Sequence, residues 1–278
     1  MTLLAPDFLD AVVALGFMSP DGTIVYSATG FFIGRAEGTR EDGQTLWRLF
    51  LVTNSHVFEG QENAKVRINP GPEGPAGEYD IQLLRGENDP LWKTHHDPEI
   101  DVAVLPIAAG KLQKAGLEIG FFRIPQHIAN LEKCREEGLS EGDGVFVLGF
   151  PMGLIGEERN YVIARSGGIA RVRDALYSSS KDFLIDTFIF PGNSGGPVIL
   201  RPEAFSIVGT KTITESYLIG IVKGYVPYQD IAYSLQTQRP RVVFEENSGL
   251  ASVHPIDFIL DILDVGFPVQ PNEVMEDL

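Results

Sequence analysis

Several features are scarce in this sequence, and each scarcity excludes something. Of 278 residues only one is cysteine, Cys134, so no internal disulfide can staple the chain, as fits a reducing compartment. That thiol reads as a buried bystander. Positive charge is short: 22 Lys and Arg stand against 38 Asp and Glu, giving a net charge of −16. Such a chain repels nucleic-acid backbones and anionic membranes, so neither is expected as a partner, and the charge is read as serving solubility. The first basic residue is Arg35, and Asp7 and Asp10 break the apolar start MTLLAPDFLDAVVALGFM. A secretory signal needs a basic start and an unbroken apolar core, so none is expected. Nor does any run approach the roughly 18 apolar residues that span a bilayer. The expected location is therefore the cytoplasm. With 44% hydrophobic and 22% charged residues, the composition is that of a folded globular protein.

What is present is a succession of short apolar or alternating runs separated by turn residues. Over the first 110 residues these are AVVALGFM, GTIVYSA, GFFIG, LWRLFLVT, AKVRIN, YDIQLL and DVAVLP. A second set follows from GVFVLG through YVIARSGGIARV, DFLIDTFI and YLIGIV to RVVF. The spacing predicts antiparallel strands in two β-rich halves. We place an N-terminal β-barrel over 1–115, a linker over 116–142, a C-terminal barrel over 143–265 and an acidic tail over 266–278. In PIDFILDILD, Pro255 at a first turn and a stripe of Ile256, Ile259, Leu260 and Leu263 predict one C-terminal amphipathic helix.

The chemistry is sought in FPGNSGGPVI (190–199), where Ser194 is wrapped by three glycines. Taken alone the stretch could be a tight surface turn, since clustered glycine marks turns or close approach to the backbone. A serine nucleophile needs a base to take its proton and a third group to orient that base. His56 follows the strongly apolar LFLVTN, and Asp101 stands at the polar start of DVAVLP, where a carboxylate can be buried beside an imidazole. GNSGG also satisfies the G-x-S-x-G nucleophile elbow. That arrangement needs the order serine, acid, histidine, which leaves only His254 with Asp230, and a helix after the serine, which Gly195, Gly196 and Pro197 oppose. His95 and His96 with Asp97 could suggest a metal site, but adjacent side chains on an extended chain diverge and no further ligands stand at metal spacing. They are read as an exposed loop, His127 as a surface residue and His254 as a core residue.

TNSHVF, DVAVL and GNSGGPV together resemble the chymotrypsin-fold, or trypsin-like, serine peptidases, and VLGFPMGL with SGLASVHPID resembles their HtrA-like bacterial branch. The resemblance implies an all-β fold of two packed antiparallel β-barrels with a cleft between them, and an endopeptidase acting on polypeptide substrates without metal or cofactor. It implies a triad of His56, Asp101 and Ser194, with backbone N–H groups of Gly192 and Ser194 as oxyanion donors. Phe188, Ile189 and Phe190, with Lys223, Gly224 and Tyr225, would line the primary pocket, and Val222 to Gly224 would pair with the peptide as an added strand. No acidic residue falls at the pocket base, which implies an apolar preference, and Asp186 is read as structural. Two features depart from the wider family: Asn193 stands where many digestive members have aspartate, and too few residues follow Val265 for the PDZ domain usual in the HtrA-like branch. A catalytically silent relative that binds peptides in the same groove is the alternative.

Overall fold

Two blocks of β-rich sequence fold into two β-sheet bodies that share a core. The structure, a computed structural model, describes residues 3–39, 43–70, 73–86, 89–108, 110, 119–203, 207 and 210–268. The expected acidic tail lies outside the described residues from 269 onward.

After a short helix α1 (Pro6–Asp10), the first body is built from β1 (Val12–Met18), β2 (Ile24–Thr39), β3 (Thr45–Thr53), β4 (Asn63–Ile68), β5 (Gly77–Gln82), β6 (Lys93–Thr94) and β7 (Ala103–Ile107). Their order is β5-β4-β1-β2-β3-β7-β6, with antiparallel neighbours throughout. GTIVYSA and GFFIG, separate in the sequence pattern, form the single strand β2, which serves β1 with one stretch and β3 with the next. A short strand, β8 (Phe122–Ile124), lies parallel to the distal part of β2. Among the described residues this sheet is not closed by hydrogen bonds, whereas the second body is a closed barrel.

That barrel consists of β9 (Gly144–Gly149), β10 (Ile163–Arg171), β11 (Phe183–Asp186), β12 (Pro197–Leu200), β13 (Tyr217–Tyr233) and β14 (Pro240–Pro255), in the order β10-β11-β14-β13-β12-β9. YLIGIV and RVVF turn out to be parts of much longer strands. Tyr225 to Tyr233 and Pro240 to Asn247 form a two-stranded ribbon that stands off the barrel with nearly every side chain exposed.

The segment read as a linker carries β8, on the first sheet, and further on a helix over Leu131–Glu137. The helix over Ser55–Phe58 is α2, that over Leu131–Glu137 is α3, that over Arg173–Tyr177 is α4 and the C-terminal one over Asp257–Gly266 is α5. Asn130 caps α3 by accepting from Lys133 N–H at 3.0 Å, and Gly138 ends it in the left-handed region. Cys134 on α3 is buried against the second barrel, and burial pushes its thiol up to about 12, so it is inert near neutral pH. Helix α5 begins at Asp257, later than expected, because Pro255 still belongs to β14. Ile259, Ile262 and Leu263 are its buried residues.

Three apolar clusters result. One fills each body, and a third, which contains Phe31, Phe50, Phe122, Ile199, Leu218 and Ile256, draws residues from both. No helix among the described residues is long and apolar enough to cross a membrane.

Candidate active site

His56 and Asp101 are both delivered by strand ends of the first sheet. The buried strand β3 stops at Thr53, Asn54 takes an extended conformation, and α2 begins at Ser55. Val57 and Phe58 turn into the core, so His56 is presented outward with half of its side chain exposed. Ile100 and Val102, at 2% and 0% exposure, point inward on either side of Asp101, which therefore faces the imidazole.

His56 Nδ1 lies 2.6 Å from Asp101 Oδ2. The other carboxylate oxygen accepts from Ser55 Oγ at 2.6 Å and from His56 N–H at 3.1 Å, and the Asp101 carbonyl accepts from Asn54 Nδ2 at 2.7 Å. With Nδ1–H donating to the carboxylate, the Nε2 lone pair is left free to act as a base. The hydrogen bond to Asp101 raises the His56 pKa above its usual 6.5, against an opposing effect of burial. Burial pushes the Asp101 carboxyl up, but the bonds from His56 and Ser55 outweigh it and hold the group at about 2.

Ser194 sits in a loop of the second barrel that the first sheet pins in place. Thr29 N–H donates to Ser194 O at 3.0 Å, Thr29 Oγ1 donates to Gly192 O at 2.5 Å, and Phe150 N–H donates to Thr29 Oγ1 at 3.0 Å. Thr53 Oγ1 in turn donates to Thr29 O at 2.8 Å. Gly195 has φ +81°, and a Cβ there would collide with Thr29 O and Thr53 Oγ1, so any side chain would push the serine loop off the first sheet. Gly192 has φ +97°, and a Cβ there would meet Phe150 O and, at 3.0 Å, Met152 N.

Met152 N–H donates to Pro191 O at 2.6 Å. In a trans peptide the carbonyl and the following N–H point in opposite directions, so the Gly192 N–H faces away from Met152. Neither that N–H nor the Ser194 N–H meets an acceptor among the described residues. The Ser194 hydroxyl is likewise without a hydrogen bond to His56 in this resting geometry; such contacts often tighten only when substrate binds.

A family model of the trypsin-like peptidase domain matches residues 28–209. The chain belongs to the trypsin-like peptidases. Two solved structures are similar to this trypsin-like peptidase. The MamO protease domain from Magnetospirillum magneticum (apo form) shares 14% identity at TM-score 0.49, over 93% of this chain and 98% of that one. The HtrA-type protease AlgW with decapeptide shares 18% identity at TM-score 0.48, over 94% of this chain and 66% of that one. No curated protein sequence matches the chain.

The residues expected to line the peptidase's pocket fall on two sides of β14. Phe188 is exposed, Ile189 is buried, and Asn247 Nδ2 donates to Ile189 O at 2.6 Å, which lays 188–190 beside the base of the ribbon. The Arg165 guanidinium stands 5.3 Å from the Phe190 ring. On the other side, Val222 is buried in the barrel core, its backbone tied to Gly195 N–H and Gly196 O, so it can offer no side chain to a ligand. Lys223 pairs with Asp182 at 3.1 Å, Gly224 faces open space, and the Tyr225 hydroxyl donates to Glu245 at 2.6 Å.

Several residues that support the site were not singled out from sequence. Thr29, Asn54 and Ser55 bond to the segments that carry Asp101 and Ser194, Thr53 bonds in turn to Thr29, and their signal was polarity at the ends of apolar runs. His95 departs from the exposed loop expected: its side chain is 7% exposed and its ring stacks 4.1 Å from His96 instead of diverging. Among the described residues no group of three His, Cys, Asp or Glu could hold a metal ion. His127 is half-buried against Phe8 instead of lying on the surface. His254 is a core residue with 0% exposure, but it is bonded to the Asp101 backbone.

Proposed function

We propose that the chain is a serine endopeptidase that hydrolyses polypeptides through an acyl-enzyme on Ser194. The observation that carries this reading is the His56–Asp101 pair at 2.6 Å, on a sheet whose Thr29 is bonded directly to the serine loop.

In this mechanism Ser194 Oγ attacks the scissile carbonyl carbon while its proton passes to His56 Nε2. Asp101 holds the imidazole in the tautomer that leaves Nε2 free and stabilises the imidazolium. The carbonyl oxygen becomes an oxyanion, facing the N–H groups of Gly192 and Ser194, and each such donor contributes about 3 kcal/mol to the transition state. His56 then protonates the leaving amine, the peptide bond breaks, and the acyl group stays on Ser194. Water, deprotonated by His56, attacks the ester and releases the acid and the free serine. Exposed Phe188 and the aromatic Phe190 support an apolar residue preceding the scissile bond.

The test is intact-mass detection of a fluorophosphonate adduct on the folded protein. One adduct, mapped to Ser194 and lost in Ser194→Ala, is the expected result. Folded protein that takes up no adduct would replace this reading with that of a silent peptide-binding relative.

A further inference from the structure

A second histidine–aspartate pair stands directly behind the first. His254, near the end of β14, is fully buried, and its Nε2 accepts a hydrogen bond from Asp101 N–H at 3.0 Å. Its Nδ1 lies 2.6 Å from Asp182 Oδ1 and 3.1 Å from Lys181 O. Both of these are acceptors, so Nδ1 carries the ring proton and Nε2 presents a lone pair to Asp101. The ring is thus held from both sides and aimed at the backbone of Asp101.

We propose that His254, oriented by Asp182, is a positioning residue that fixes Asp101 against His56. This inference rests on the triad reading given above. Every other polar group of Asp101 is already held by the first sheet: its carbonyl by Asn54, Oδ1 by Ser55 and His56 N–H, and Oδ2 by His56 Nδ1. The backbone N–H is the remaining group, and its acceptor comes from the second barrel. The residues around Asp182 grip the same loop a second time, since Lys181 Nζ lies 2.6 Å from both Asp97 Oδ2 and Glu99 Oε2. Asp182 Oδ2 also takes Lys223 Nζ at 3.1 Å, and Lys223 follows Val222, whose backbone is bonded to the serine loop. Burial disfavours the Asp182 charge, yet His254 and Lys223 outweigh it and keep the carboxylate ionised.

Among the described residues, positions 95–102 of the loop that carries Asp101 belong to no strand. Without an acceptor at Nε2, the Asp101 N–H is orphaned at the edge of a core, and the loop must shift to satisfy it. A displacement of about 1 Å at a catalytic group costs on the order of 100-fold in rate. The role is therefore indirect, because His254 touches neither substrate nor the reacting atoms.

The experiment compares His254→Gln with His254→Asn, and adds His254→Leu. A glutamine amide reaches the place of Nε2 and can accept from Asp101 N–H, whereas an asparagine amide reaches only the place of Nδ1. Turnover of a short peptide ester and the downfield proton resonance of His56 Nδ1 are read on each folded variant. His254→Asn and His254→Leu are expected to lose about 100-fold in kcat with KM within twofold, and to shift or broaden the His56 resonance. His254→Gln is expected to stay within about fivefold of wild type with the resonance in place. Equal losses in the Gln and Asn variants, or an unchanged kcat and resonance in His254→Asn, would overturn the proposal. The pair of amides keeps the test valid should the Leu variant not fold. If the wild type itself shows no turnover, the triad reading fails, while the His56 resonance still reports whether His254 fixes the Asp101–His56 contact.

Discussion

Under the proposed mechanism the His56–Asp101 pair implies a pH window for catalysis and a separate one for stability. With the neutral imidazole as the proposed base and its pKa raised above 6.5, kcat/KM is expected to rise with pH through a midpoint above 6.5. A pH–rate profile checks this. For stability the sign is opposite: the raised His56 pKa contributes fully below about 6.5, and the contribution fades as pH climbs through the folded value. Asp101, held at about 2, contributes above its ordinary 3.8, and that contribution is lost as pH falls toward 2. Asp101→Asn is expected to lower turnover on the order of 10⁴-fold and to flatten both dependences. Ser194→Ala and His56→Ala are expected to fall at least as far, with unchanged circular dichroism. His56, Asp101 and Ser194 could be singled out as candidates because each lies inside a local motif with its own strand context. His254 and Thr29 were not, because their partners lie 153 and 163 residues away in sequence, and no spacing rule connects them.

At the scale of elements, two features make separate predictions. Thr29 on β2 satisfies Gly192 O and Phe150 N–H inside the structure, so Thr29→Val keeps the volume but orphans both groups. At roughly 1–3 kcal/mol for each orphan, a loss of about 3 kcal/mol is expected in denaturant titration, with a still larger proportional loss of activity. The ribbon beyond Tyr225 is the opposite case. Tyr228, Ile231, Tyr233 and Phe244 are between 45% and 56% exposed, so the ribbon buries little that the barrel needs. Replacing residues 228–246 with Asn-Gly joins the paired Pro227 and Asn247 by a tight turn, and the thermal midpoint is expected to move by less than about 2 °C. The strand alternation made the barrel elements readable, since one face of each is buried. Of the ribbon it found only RVVF, because neither face packs on a core and the other residues show no burial pattern to detect.

For the whole molecule, the shared apolar cluster couples the two bodies. Phe31 and Phe50 from the first and Ile199 and Leu218 from the second lose their cover together if either body opens. Both tryptophans, Trp47 and Trp92, lie in the first body, so fluorescence follows that half while far-UV circular dichroism follows both. The two signals are expected to share one melting midpoint. The −16 net charge opposes compaction, and raising ionic strength from about 0.01 to 0.15 M is expected to raise that midpoint as the Debye length shrinks from about 30 to 8 Å.

The position of His254 near the end of the described chain has a consequence for biogenesis. A ribosome releases His56 and Asp101 first, then Ser194, and only afterwards β14 with the ring that anchors the Asp101 loop. A nascent chain paused between residues 194 and 254 carries His56, Asp101 and Ser194 but lacks the ring that holds the Asp101 loop. Under the proposed function, proteolytic competence is thereby expected only once β14 has been made, which spares the earlier part of the growing chain.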